Sequence, residues 1–213
     1  MVRILGIIHL DKIDNVINKN AIIVMLQFID YISSIVPPTE HSINMYAVKP
    51  HCKHNLSVYI EQMLEVKPTI LLMGEAPGFH GCGITGVPFT DECTLSSHPF
   101  FVGRGYEYSE KPEHEKTAGV VWSTMIDKVP LMWNIYPFHP FGVHERTNRK
   151  PNRDEIILGR EIAEQFISLF PIQKIYAVGR AAQSFRPNLD YVRHPSYGGQ
   201  AIFKEQIYKI LNP

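Results

Sequence analysis

Two glycine- and proline-rich runs combine groups that suit ligand binding. The first, Gly74-Glu-Ala-Pro-Gly78, follows a short apolar stretch. Its glycines and proline favour a tight turn that points backbone N–H groups outward, where they suit a carbonyl or phosphate oxygen. In the second, Gly81–Thr90, a proline holds Phe89, whose ring suits stacking on a planar ligand. A plain structural turn and a phenylalanine that covers the core are the alternative interpretations.

An amide and an imidazole occur at two later apolar runs. Asn134 lies within Leu131–Tyr136, and His194 closely follows Tyr191-Val192. A side-chain amide offers both a donor and an acceptor, and an imidazole donates or accepts a proton near neutral pH. Either residue taken alone is more typical of a structural role. Their positions at separate predicted strand ends favour a shared site.

The elements that must position these residues follow from apolar spacing and from turn residues. Four apolar runs predict strands: Thr69–Met73, Leu131–Tyr136, Lys174–Val178 and Tyr191-Val192. Helical spacing predicts Ala21–Ile35, Asn55–Val66 capped by Asn55, Thr117–Ile126 capped by Thr117, Asn152–Leu169, a short helix around Ala181–Phe185, and Gln200–Leu211. Strands that alternate with helices predict an α/β fold with parallel strands, whose sites gather at the carboxyl ends of the strands. The long loop from Glu75 to about Gly105 is typical of a functional loop.

Composition limits the class of protein. Lys and Arg together number 21 and balance 21 Asp and Glu, which argues against global charge as a means of coating nucleic acid but leaves a local basic face possible. The three cysteines form no C-x-x-C pair, so we expect no disulfide framework and a reducing, cytoplasmic location. His51, Cys52 and His54 have ligand-like spacing without a fourth ligand, so we expect no metal.

The length of 213 residues predicts a single domain, with residues 1–50 as a helical N-terminal extension packed on it. Met1–Leu10 is mildly apolar but too short to span a bilayer, and it lacks a small-residue cleavage site. We expect neither a signal peptide nor a membrane anchor.

Four ordered segments resemble the uracil-DNA glycosylase superfamily, most closely its thermophile-type branch. They are Gly74–Gly78 with the following TG-x-PF, Trp133–Pro140, Asn148–Asn152 and Arg193–Ser196. The resemblance spans roughly Asn55 to Leu211 and is specific at superfamily level. It implies a three-layer α/β/α fold with a central four-stranded parallel sheet.

The chain departs from that branch at two points. The branch usually carries four cysteines that hold an iron–sulfur cluster, whereas this chain has three at unsuitable spacings, so we expect no cofactor. Ala76 occupies the position where other branches place an Asp or Asn that activates water. A catalytic scheme therefore has no carboxylate at that position.

The resemblance implies hydrolysis of the N-glycosidic bond of uracil in DNA, by a monomer whose partner is single- or double-stranded DNA. His194 and the backbone N–H groups of the Glu75-Ala76 turn would stabilise charge on the departing base, and Glu75 would orient water. Phe89 would stack on the flipped base and Asn134 would read its edge.

A DNA-binding surface is predicted around a helix start and the histidine loop, where basic residues and glycines suit phosphates and an exposed ring suits wedging into the base stack. Its residues are Arg149, Lys150, Arg193, Ser196, Tyr197 and Gly198, with Arg153 and His139 as further candidates. A solvated run of charges is the alternative for the basic residues.

For the whole protein, the alternative is a damaged-DNA-binding module with little or no turnover, which Ala76 favours. A nucleotide hydrolase would need a metal cluster or phosphate loop, and neither motif appears.

Overall fold

The structure, a computed structural model, describes residues 19–125 and 127–213. The prediction for Met1–Leu10, the first part of the predicted N-terminal extension, and the predicted helix end at Ile126 lie outside the described residues. Within the described ranges, no helix is both long and apolar enough to cross a membrane.

Four parallel strands form the central sheet. In chain order the strands are β1 (Ser42–Ile43), β2 (Ile70–Gly74), β3 (Leu131–Asn134), β4 (His139–Pro140), β5 (Lys174–Val178) and β6 (Asp190–Val192). The sheet has the order β3-β2-β5-β6, while β1 and β4 form a separate antiparallel pair. The four predicted strands are therefore confirmed, and all four carboxyl ends lie at one edge.

Helices flank this sheet. They are α1 (19–34), α2 (Met45–Val48), α3 (Pro50–Val66), α4 (Cys82–Thr85), α5 (Glu92–Ser97), α6 (Lys116–Trp122), α7 (Arg153–Ile167) and α8 (Gln200–Leu211), with a 3-10 helix at Ala181–Phe185. Asn152 caps α7: its side chain accepts from Glu155 N, and its own N–H donates to the Glu155 carboxylate. The two predicted caps, Asn55 and Thr117, are wrong.

The two wrong caps have local causes. The helix α3 begins at Pro50, which is favoured at a first helical position, so Asn55 lies inside the helix. The buried amide of Asn55 donates to Thr85 O and Glu107 O and thereby holds the long loop. The cap of α6 is Glu115, whose carboxylate accepts from the N–H groups of the following turn.

The loop after β2 is ordered by buried carboxylates. Asp91 is fully buried and accepts hydrogen bonds from Thr94 N and from Glu115 N, at 2.7 and 2.6 Å. Its neighbour Glu92 accepts from Ser109 N at 2.9 Å. Because buried acceptors must be paired, these bonds fix the path from the loop to the start of α6.

Core side chains pack on the sheet and also along its outer edge at β3. Trp133 of β3 stacks on Phe166 of α7 at 3.8 Å between ring centroids, and Phe28 of α1 contacts both rings. At the outer edge of β3, the Tyr59 hydroxyl accepts from Met132 N at 2.8 Å. This bond satisfies an edge group that would otherwise be open to pairing with another chain.

Candidate active site

The carboxyl end of β2 lies between an amide and an aromatic ring. A Cβ placed on Gly74 would lie 2.3 Å from Asn134 Oδ1 and 2.7 Å from Phe89 Cζ. Only glycine permits that approach, because any side chain would collide with both groups. Gly74 is also the register partner of Asn134 across the two strands. The structure thus brings Phe89 and Asn134 to the same strand end.

The Asn134 side chain has an uncommitted donor and acceptor. The residue is 5% exposed, and no side-chain hydrogen bond joins its amide to another described residue. Buried polar groups are normally paired, so an amide in this state suits the edge of a ligand that presents both a donor and an acceptor.

Phe89 is held in a backbone conformation that is rare for a residue with a side chain. Its φ is 57°, in the left-handed region. The indole Nε1 of Trp122 donates to Phe89 O at 3.1 Å, and buried Thr90 and Asp91 follow directly. Because such a conformation persists only where its surroundings determine it, the ring has a fixed position at Gly74.

His194 follows β6 and packs against the end of β5. A Cβ on Gly179, whose φ is 87°, would lie 3.5 Å from His194 Cδ2. The Nδ1 atom accepts from Ser196 N at 3.2 Å and lies 2.7 Å from Ser196 Oγ. An acceptor at Nδ1 leaves the proton of the neutral ring on Nε2. Burial lowers the pKa of His194, so the ring is neutral at neutral pH and presents Nε2–H as a donor.

The turn after β2 supplies a carboxyl and a free N–H. Burial raises the pKa of Glu75, and the nearby Lys150 ammonium opposes that shift. The backbone N–H of Ala76 makes no hydrogen bond to another residue in the described part of the chain. This turn therefore offers a donor beside a half-buried acid, although Ala76 itself carries no acid.

Arg149 has a structural role that the sequence analysis did not identify. Its guanidinium donates to both carboxylate oxygens of the fully buried Glu155, each at 2.6 Å, and also to Phe141 O and His41 O. Although burial raises the pKa of Glu155, the hydrogen bonds from Arg149 hold it below its ordinary value. Arg149 thus joins the start of α7 to β4 and the segment before β1, whereas Lys150 is exposed beside it.

The loop after His194 projects an aromatic ring into solvent. Tyr197 is 96% exposed with φ 51°, and Gly198 follows with φ 75°. Arg193 donates to Tyr197 O at 3.1 Å, and a Cβ on Gly199 would lie 2.0 Å from His194 O. The tight glycine turn and the Arg193 bond hold the tip of this loop in place.

His139 is buried, which does not fit its suggested place on a DNA-contacting face. It is 2% exposed, with Nδ1 at 2.9 Å from Pro77 O and Nε2 at 2.8 Å from Glu145 O. The Asn148 side chain makes a parallel connection by accepting from Phe79 N at 2.9 Å. These two residues tie the turn after β2 to residues 142–148. Sequence reasoning missed both roles, which depend on contacts between distant segments.

The cysteines do not fit an iron–sulfur cluster. Such a cluster takes four thiolates, and the chain has three cysteines. Burial raises the pKa of Cys52 to about 12, and its thiol donates to Ile84 O at 3.0 Å. Among residues 19–125 and 127–213, no group of three or more His, Cys, Asp or Glu side chains is arranged to hold a metal ion.

A groove of about 1000 Å³ lies at the opposite, amino end of the sheet, beside Thr69, Ile70 and Pro130. It is remote from Asn134 and His194. Ligand sites in parallel sheets lie outside the carboxyl ends of the strands, so we place the candidate site there despite the size of this groove.

Comparison with known proteins bears on the fold. No family model matches the chain, and no curated protein matches it in sequence. Among solved structures, the crystal structure of wild-type Pedobacter heparinus SMUG2 is similar. The match has a TM-score of 0.63 and 16% identity, and it covers 89% of this chain and 98% of that chain. The likeness confirms the predicted α/β fold with its four-stranded parallel sheet and flanking helices.

Proposed function

We propose that this protein hydrolyses the N-glycosidic bond of uracil in DNA and leaves an abasic site. One observation carries the proposal: the uncommitted amide of Asn134 and the fixed ring of Phe89 meet at Gly74. An amide and a ring together suit a flat, hydrogen-bonding ligand such as a nucleobase. The shared fold with SMUG2 and the four sequence motifs support the same conclusion.

The target base must leave the duplex to reach this site, at a cost of about a few kcal/mol. Stacking on Phe89 and pairing with Asn134 offset that cost. The amide N–H₂ of Asn134 would donate to uracil O4, and its oxygen would accept from N3–H. Cytosine presents the reverse pattern at this edge, so the same amide selects against it.

Bond cleavage leaves negative charge on the uracil ring, chiefly at O2. The neutral His194 would donate Nε2–H to this oxygen, and the free N–H of Ala76 would supply a second donor. Donors that are fixed before the reaction stabilise the developing charge without reorganising. Two of them at neighbouring strand ends support an N-glycosidase mechanism.

The sugar becomes cationic as the base leaves, and water completes the hydrolysis. Glu75 is the acid nearest the turn and is half-buried, so we assign it the orientation of this water. The GEAPG motif supports the thermophile-type branch, here without its iron–sulfur cluster. We expect a cytosolic monomer.

The DNA-contacting surface would include the exposed tip of the histidine loop and one basic residue beside the turn. Its members are Lys150, Arg193, Ser196, Tyr197 and Gly198. We leave Arg149 out, because its guanidinium is committed to Glu155 and to backbone carbonyls. Tyr197 would wedge into the stack that the flipped base leaves.

A damaged-DNA-binding module with little turnover is the second candidate. The absence of an acid at position 76 favours it, because the carboxylate or amide that other branches place there to activate water is missing. In that case the protein would bind a uracil-containing oligonucleotide without cutting it.

One experiment separates the two candidates. Purified protein is incubated with single- and double-stranded oligonucleotides that carry one uracil, and alkali then cleaves any abasic site. We expect strand cleavage at uracil and none in matched oligonucleotides that carry thymine or cytosine. Binding without cleavage would support the second candidate. Asn134→Asp should reduce the preference for uracil over cytosine at least ~10-fold, because the edge then lacks its amide donor.

A further inference from the structure

Two exposed loops lie near the turns that follow the strands. One follows β6 and carries Tyr197, and the other, residues 142–148, follows β4. The first loop continues from the outer strand β6, and the second is connected to the turn after β2 through His139 and Asn148.

The loop of residues 142–148 is held by internal hydrogen bonds. Thr147 N donates to His144 O at 2.8 Å, and Thr147 Oγ1 accepts from Gly142 N at 3.0 Å. The bonds of His139 and Asn148 connect it to the turn after β2. This loop therefore keeps a set position relative to the turn that carries Glu75 and Ala76.

Its outer surface carries one exposed cation and one exposed apolar side chain, and the acid Glu145 is also exposed there. Val143 is 83% exposed, and the Arg146 side chain is 71% exposed. The Arg146 guanidinium lies 5.4 Å from the Phe79 ring centroid, and its nearest acid, Glu113, is 4.0 Å away. A weak, exposed ion pair of this kind exchanges readily for a phosphate. Arg146 is thus available for binding where Arg149 is not.

We propose that residues 142–148 form a second nucleic-acid contact, in which Arg146 binds a backbone phosphate beside the turn after β2. This inference rests on the proposed function. The DNA would then be bound by the Arg146 loop as well as by the Tyr197 loop. A nucleic acid is the partner that fits, because the cation and the exposed Val143 stand together beside the turn that would receive the base.

The test compares matched substitutions at the two ends of the molecule. Arg146→Gln and Val143→Asp alter the proposed contact. Arg104→Gln and Val102→Asp are the controls, because Arg104 is also exposed and paired, with Glu65 near the end of α3. Binding of a labelled uracil-containing duplex is measured at several salt concentrations. Wild-type cleavage of the same duplex is assayed in parallel.

We expect Arg146→Gln to weaken binding about threefold to tenfold and to reduce the slope of log affinity against log salt by about 1, as the loss of one phosphate contact requires. Val143→Asp should weaken binding by a similar factor, and neither control should change it. An unchanged slope for Arg146→Gln, with normal wild-type cleavage, would overturn this inference and leave the proposed function intact. Binding without wild-type cleavage would overturn the proposed function, and the slopes would still decide the role of Arg146. A wild-type protein that binds no DNA would overturn both.

Discussion

Phe89 and Tyr197 share an unusual backbone conformation in opposite surroundings. Their φ values are 57° and 51°, both in the left-handed region. Phe89 is half-buried, and Trp122 holds its carbonyl, whereas Tyr197 is 96% exposed on a loop that continues with two glycines. Such a conformation costs about 1–3 kcal/mol in each place, so each must be maintained by its neighbours. In one case the strain fixes a ring inside the site, and in the other it projects a ring away from it.

The two rings should therefore differ in the substrates that they affect, single-stranded DNA, double-stranded DNA or both. A ring that forms part of the base site should matter for single and double strands alike. A ring that fills the gap left by a flipped base should affect activity on duplex DNA, where the neighbouring bases are stacked. Comparing the two substrates therefore tests each residue's assignment.

His194 lies in the same loop as Tyr197, but under the proposed function it contacts the departing base. His194→Ala should lower kcat/KM about 100- to 1000-fold, because it removes a donor worth about 2.7–4 kcal/mol in the transition state. The loss should be equal for single- and double-stranded substrates. Cleavage assays on both measure it, with His54→Ala, at an exposed histidine, as the control. A loss of activity confined to duplex DNA would instead indicate that His194, like Tyr197, acts only on the duplex.

Phe89→Ala should lower kcat/KM by about 5- to 150-fold on both substrates, since base stacking is worth about 1–3 kcal/mol. Trp122→Phe keeps the Phe89 ring but removes the hydrogen bond to its carbonyl, so it should cause a smaller loss of the same kind. Cleavage kinetics on both substrates, with thermal unfolding as a check on folding, measure these effects. Full activity in Phe89→Ala would show that the ring is part of the core rather than the base site.

Local signals were sufficient to predict most of the fold. The strand Lys174–Val178 and the helix Gln200–Leu211 have their predicted bounds, because apolar spacing acts between near neighbours. The helices α4 and α5 were not predicted within the long loop. They depend on remote partners such as Asn55 in the middle of α3, whose amide holds Thr85 O.

The candidate site likewise contains residues that motifs in the sequence predict and residues whose roles depend on remote contacts. Asn134 and Phe89 were predicted from ordered motifs, and the structure brings them together at Gly74. The roles of Arg149 and His139 were not foreseen, because each is set by burial against segments that are distant in the chain. A run of basic residues does not reveal which member faces inward.

Tyr197→Ala should lower kcat/KM on duplex DNA about fivefold to tenfold and on single strands less than about twofold, because only the duplex loses a wedge. The measurement is the ratio of kcat/KM on duplex DNA to kcat/KM on single-stranded DNA. In the double variant with Phe89→Ala, the two effects on duplex DNA should add within about 0.5 kcal/mol, since the residues act on different parts of the substrate. Strong coupling between them would mean that both rings contact the same base.

The smallest expected effect is on the pH profile and concerns the carboxyl of Glu75. Burial raises the pKa of Glu75 above its ordinary value, so its carboxyl stays protonated to a higher pH and its role with water is lost as pH falls through that pKa. We therefore expect the pH profile of kcat/KM to have an acid limb at a higher pH than an unperturbed glutamate would give, and we expect Glu75→Gln to lack it. Lys150→Gln should move this limb to higher pH, because the Lys150 charge lowers the pKa of Glu75. Lys53→Gln, at a lysine paired with Asp30 on another face, is the control. An acid limb that Lys150→Gln leaves in place would assign it to a different group.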